Sequence, residues 1–107
     1  KGILPTWLAP VQVKILPISE SHREYAEKVK QELEDNDIRV ELDERDEKIG
    51  YKIREATMQK VPYMLILGDK EIEANAVGVR SRKEGDLGQM KTNDFISKIH
   101  EETKSFK

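Results

Sequence analysis

Five consecutive apolar side chains, Tyr63-Met64-Leu65-Ile66-Leu67, stand between Pro62 and Gly68 in the stretch PYMLILGDKE at residues 62–71. A run this short, without alternation and closed by Pro and Gly, reads as a strand buried on both faces. Such a strand needs a layer above and a layer below it. The amphipathic helical pattern just upstream, residues 48–60, can supply one of them. In an open sheet of parallel strands, ligands bind beyond the carboxyl ends, so Gly68 to Glu71 falls where a site is expected.

A chain of 107 residues allows one domain with a single modest core. Charged residues, at 37%, match the hydrophobic ones at 36%, so the surface is heavily charged. The sequence has no cysteine, which removes disulfides and Cys-based zinc sites and suits a cytoplasmic protein. No apolar run approaches the length of a membrane span. The net charge of −2 hides an asymmetry: residues 20–47 hold twelve acidic and five basic side chains, whereas residues 48–107 hold twelve basic and nine acidic. The second half is therefore the more attractive to a polyanion, although from composition alone ordinary mixed surface charge is the better account.

Taken in order, residues 1–10 carry Pro5, Pro10, Gly2 and the sole tryptophan, Trp7, and read as a connector from a preceding domain. The domain proper is expected over 11–107. Residues 11–18 form a first strand. Ser21-His22-Arg23-Glu24 is an S-x-x-E capping box opening a helix with Tyr25, Ala26, Val29 and Leu33 on one face. Asn36 is suited to end it in a left-handed conformation. Ile38, Val40 and Leu42 alternate as a second strand. In the next helix Ile49, Ile53, Ala56 and Thr57 share a face, with Lys52 and Glu55 elsewhere and Gly50 hinting at a close backbone approach. After the central strand, Val77 and Val79 alternate with Gly78, Arg80 and Arg82, and residues 87–91 complete a hairpin. Thr92 or Asn93 starts a last helix with Phe95, Ile96 and Ile99 inward. Right-handed crossovers make the first three strands parallel. The expectation is an α/β fold in three layers: a mixed sheet of about five strands, three parallel and two antiparallel, with three helices.

Catalytic signatures are missing: no glycine-rich phosphate loop and no G-x-S-x-G elbow occurs. His22 and His100 read as solvated helix surface. What remains is a charged rim: Arg45 and Asp46 after the second strand, Lys52 or Arg54 on the helix, Asp69, Lys70 and Glu71 after the central strand, and Arg80 beside it. Mixed guanidinium and carboxylate groups suit the polar edges of unpaired bases, and such readout favours single-stranded RNA loops. On spacing alone, a solvated rim with incidental ion pairs is the better reading.

The residues themselves resemble a known family. PTWLAPVQV at 5–13, RDEKIGYKIRE at 45–55, KVPYMLILGDKE at 60–71 and VGVRSRKEGDLGQM at 77–90 are similar to the C-terminal anticodon-binding domain of threonyl-tRNA synthetases and its junction with the catalytic core. The wider anticodon-binding-domain fold is shared with prolyl, glycyl and histidyl synthetases, which are the alternative, as is a non-RNA regulatory or interaction domain. The resemblance implies tRNA(Thr) anticodon recognition, with contacts falling on Asp46, Arg54, Glu71 and Arg80 and with Lys60 on the RNA backbone. Some members carry Asn where Asp46 stands here; Asn donates and accepts, whereas an ionised Asp only accepts. The resemblance also implies a non-catalytic piece of a cytoplasmic, homodimeric threonine–tRNA ligase. No cofactor is expected in this piece; ATP, Mg and Zn belong to the parent's other domains, and Trp7 would pack on the catalytic one.

Overall fold

The computed structural model describes residues 11–44, 47–82 and 85–104. Residues 1–10, and with them the expected connector and Trp7, lie outside the described residues, as do Arg45 and Asp46. The elements run β1 (Val13–Pro17), a 3-10 turn (Glu20–His22), α1 (Arg23–Glu34), β2 (Val40–Leu42), α2 (Ile49–Met58), β3 (Tyr63–Leu67), α3 (Asp69–Ala74), β4 (Ala76–Ser81), β5 (Gly85–Lys91) and α4 (Thr92–Lys104). The five strands form one sheet in the order β2-β1-β3-β4-β5. β1 pairs in parallel with both β2 and β3, and β4 is antiparallel to β3 and to β5. The expected mixed sheet is therefore present, with the apolar run of residues 63–67 as its middle strand.

Alternation decides what each face carries. Val13, Ile15, Tyr63, Leu65, Leu67, Val77 and Val79 point to one side, where α1 supplies Ala26, Val29 and Leu33 and α4 supplies Phe95, Ile96 and Ile99. The Tyr63 and Phe95 rings meet edge to face with centroids 5.4 Å apart. On the other side Leu16 and Met64 pack against Ala56, flanked by Ile49, Ile53 and Ile66. This second cluster covers only β1 and β3. β4 offers Gly78 and Arg80 to that side, so beyond α2 the sheet face is open.

Among the described residues four α-helices form rather than three. α3, which the sequence reading did not assign, starts at Gly68, whose N–H donates to Glu71 Oε1 at 2.8 Å, and stops at Asn75 in a left-handed conformation (φ 53°). A six-residue helix without a buried residue has no apolar period to reveal it. The entry to α1 also differs from expectation. Ser19, not Ser21, caps the 3-10 turn, and its backbone N–H donates to His22 Nδ1 at 3.2 Å. His22 is consequently buried rather than solvated. The left-handed residue after α1 is Asp37 (φ 63°), while Asn36 Nδ2 donates to Glu32 O. Gly50 meets nothing within 4 Å of a Cβ added to it, so no close approach explains it.

α2 ends in a Schellman arrangement: Lys60 N–H donates to Thr57 O at 3.0 Å and Val61 N–H to Ala56 O at 3.4 Å, with Lys60 at φ 61°. An L-residue in this conformation is strained by about 1–2 kcal/mol. Glycine relieves that strain but loses more entropy on folding. Lys60→Gly should therefore stabilise the fold by up to about 1 kcal/mol, seen as a higher urea midpoint with an unchanged slope. His22→Ala should destabilise by about 1 kcal/mol through loss of the capping bond. Asp69→Asn should cost far less, because the Asp69 side chain is 88% exposed; equal losses for the two variants in chemical denaturation would contradict this assignment.

Candidate functional site

The strand order reverses between β1 and β3, because α1 leaves β1 towards β2 while the chain returns through α2 to β3 on the other side. The carboxyl ends of those two strands make the crevice where an open α/β sheet receives a ligand. In this protein the crevice is filled. Ile18 packs against Gly68 so closely that a Cβ there would lie 2.6 Å from Ile18 Cδ1. His22 bridges above it, 2.8 Å from Asp69 Oδ1. Since Nδ1 accepts from the Ser19 backbone, Nε2 carries the proton and donates to Asp69. Ser19 Oγ lies 3.2 Å from the same Nδ1, which brings a serine, a histidine and an aspartate into one chain of contacts. Nδ1 is the only basic nitrogen of that neutral ring, and it is engaged in capping, so the chain is a structural clasp and not a relay.

Neighbouring polar groups at this edge are also committed. Lys52, expected to point away from the sheet, is buried (3% exposed), and its Nζ donates to Pro17 O at 3.1 Å. Arg23 Nη2 donates to Glu44 O at 2.7 Å. The cavity lined by Pro17, Arg23, Asp43 and Lys52 measures about 30 Å³, space for little more than a water molecule. The sequence reading that placed Lys52 in a binding rim is thus corrected, because its ammonium is buried; Asp69 stays exposed while it accepts from His22.

The open area lies instead on the face beside α2. Arg80 is opposite Met64, near the start of β3, because β4 runs antiparallel. That puts it about 10 Å from the carboxyl edge that it was expected to reach. A register shift between Val79 and Arg80 marks a bulge in the β4–β5 pairing, with Leu87 the extra residue on β5. Arg80 is partly exposed and, among the described residues, makes no hydrogen bond or ion pair. Beside it is a groove of about 220 Å³ with Ile53, Val61 and Met64 as an apolar floor and Arg80 and Arg82 at its rim. Arg82 Nη1 is held by Lys60 O at 2.8 Å, which fixes the end of α2 against the hairpin.

Glu71 reaches the same face from α3. Its Oε2 lies 3.2 Å from where a Gly78 Cβ would be, so the carboxylate rests over the bare backbone of β4. Gly78 and Arg80 are two residues apart on one face, about 7 Å along the strand. Tyr25, whose hydroxyl donates to Ala76 O at 2.8 Å, underpins the start of β4. Burial, then the Glu32 and Glu71 carboxylates, raise its pKa above the ordinary tyrosine value.

Arg54 is exposed on α2. Lys52 turns toward β1, and two helical steps carry Arg54 to the opposite flank of α2. Lys60, also exposed, follows at the foot of α2, where its carbonyl holds Arg82. Glu71 and Arg80 thus share one sheet face, Arg54 stays on the exposed flank of α2, and Asp46 lies outside the described residues. Gln89, opposite Gly78 in the ladder, is a further polar group on this face that motif reasoning overlooked. Its only sequence signal is its place in the β5 alternation. The face thus combines an uncommitted arginine beside an apolar groove with a carboxylate held over β4, a mixture of donors, acceptors and apolar area.

Known proteins point the same way. The threonine–tRNA ligase of Caldanaerobacter subterraneus subsp. tengcongensis is 64% identical over 101 residues, covering 94% of this chain and 16% of that protein. That of Clostridium botulinum strain Hall is 62% identical over 104 residues, 97% of this chain and again 16% of the relative. The chain therefore spans about a sixth of the length of the curated relatives it matches. Among solved structures, the RNA binding domain of threonyl-tRNA synthetase from Cryptosporidium parvum Iowa II superposes with a TM-score of 0.89 at 33% identity, over 94% of this chain and 26% of that one. Residues 12–102 match the family described as the anticodon binding domain. The open face beside α2, the fold that frames it and these matches lead to one conclusion: the chain belongs to the anticodon-binding domain family, in company with threonine–tRNA ligases.

Proposed function

We propose that this chain reads the anticodon loop of tRNA(Thr) on the open sheet face between α2 and β5, as the C-terminal module of a threonine–tRNA ligase. The observation that carries the reading is Arg80, which makes no hydrogen bond or ion pair among the described residues and shares its sheet face with the Glu71 carboxylate, itself held by two donors. The Arg80 donors stay accessible and are free to be completed by a base edge.

In this mechanism the cations of the second half of the chain attract the RNA, and counterion release supplies sequence-independent affinity. Unpaired anticodon bases then lie on the open face. Arg80 offers its planar fork to a base edge, Glu71 accepts from base N–H groups, and Arg54 closes the site from the helix. Lys60 meets phosphate. Asp46, three residues before Ile49 in the sequence, would accept from a further base. The parent enzyme would join threonine to its tRNA as a cytoplasmic homodimer, its ATP, Mg and Zn being held outside this chain. Trp7 and residues 1–10 would dock on its catalytic domain.

Arg80→Ala should weaken binding of the threonine anticodon stem-loop about tenfold to a hundredfold. The same change should narrow the gap to stem-loops with one anticodon letter altered. Arg80→Lys should not restore that gap, because an ammonium lacks the fork. Lys60→Ala should weaken matched and altered loops alike and reduce the salt slope by about one. Titrations at two salt concentrations separate these outcomes; if Arg80→Ala lowers affinity equally for every loop, Arg80 does not read a base.

A further inference from the structure

Both oxygens of the Glu71 carboxylate have protein donors. The Gly68 N–H reaches Oε1 at 2.8 Å and the Gln89 amide reaches Oε2 at 3.3 Å. The two donors come from opposite directions, one from the N-terminus of α3 and one from β5 across the sheet. Between them the carboxylate passes over β4 at Gly78, the residue directly opposite Gln89. A Cβ at Gly78 would stand 3.2 Å from Oε2 and 2.9 Å from Ile66 O. The second of these is backbone and cannot simply swing aside. Any other residue at 78 would displace the carboxylate, the strand, or both.

We infer that Gln89 and Gly78 are positioning residues that set the direction in which the Glu71 carboxylate accepts from an RNA base. This inference rests on the reading of Glu71 as a base contact. A carboxylate has about four acceptor positions, and two donors leave the rest to face outward from the sheet. A freely rotating glutamate would accept from almost any base that approached it. One held at both oxygens accepts only along the remaining directions, and that restriction is what discriminates one base edge from another. Gln89 is exposed, so the hydrogen bond contributes little to folding, and its role is read in specificity rather than in stability.

The test uses the 107-residue chain and synthetic anticodon stem-loop RNAs in which each anticodon letter is changed in turn. Glu71→Gln first identifies the letter whose discrimination depends on the carboxylate. Gln89→Met keeps the length of the side chain and removes the donor. It should cut discrimination at that same letter about three- to tenfold, leave the other letters unchanged, and leave the unfolding midpoint unchanged. Combined with Glu71→Gln, it should have no further effect. Gly78→Ala should reproduce the specificity loss if it folds, and Gln89→Met carries the test if it does not. Loss spread evenly over all letters, no loss at all, or full additivity with Glu71→Gln overturns the inference while leaving Glu71 as a base contact. Unchanged discrimination at every letter in Glu71→Gln itself removes that contact and the inference together, a pattern distinct from the others.

Discussion

Alternation along β4 sends Val77 and Val79 into the core and leaves Gly78 and Arg80 on the other side, and the working surface depends on that assignment. An apolar pair at 78 and 80 would have required a second helix beside α2 to keep it from water. With a glycine and an arginine there, no cover is needed, and half of one sheet face remains accessible without exposing the core. α2 then serves two roles. Its Ile49, Ile53 and Ala56 seal β1 and β3, and its outer flank becomes one wall of the open face.

Closure of the crevice at the carboxyl ends of β1 and β3 follows from the same economy. The position that many α/β sheets keep for a ligand is occupied by Ile18, Gly68 and the His22–Asp69 hydrogen bond. That clasp ties the turn before α1 to the first residue of α3, the helix carrying Glu71. The fold has exchanged a cleft at the edge for a platform on the face, which suits a ligand whose bases are splayed and stacked rather than enclosed.

Much of this was legible in the sequence, and the failures have definite causes. The run at residues 63–67 announced the central strand, and period-two alternation at Val77, Gly78, Val79 and Arg80 identified both the hairpin and its polar side. The family motifs pointed to Glu71, Arg80 and Arg54, of which the structure sets Glu71 and Arg80 on one sheet face. Hidden were the features that arise only when distant segments meet. His22 and Lys52 looked like helix surface because nothing nearby in sequence shows that a Ser19 N–H and a Pro17 carbonyl await them. Arg80 was placed at the wrong end of the sheet because a list of strands gives their order and not their register. α3 escaped because it is short and buries no residue.

The bulge beside Arg80 bears on colloidal behaviour as well as recognition. β5 is the outer strand of the sheet, next to an uncovered face, and a straight strand there would invite pairing with a second molecule. The register shift opposite Val79 and Arg80, with Gly88 at φ 80° and Gly85 at φ 78°, bends the outer ladder out of line. Asp86 and Lys91 add charge along it. The irregularity makes this margin of the sheet a poor template for another chain, so the broad open face lies beside an edge that disfavours strand addition.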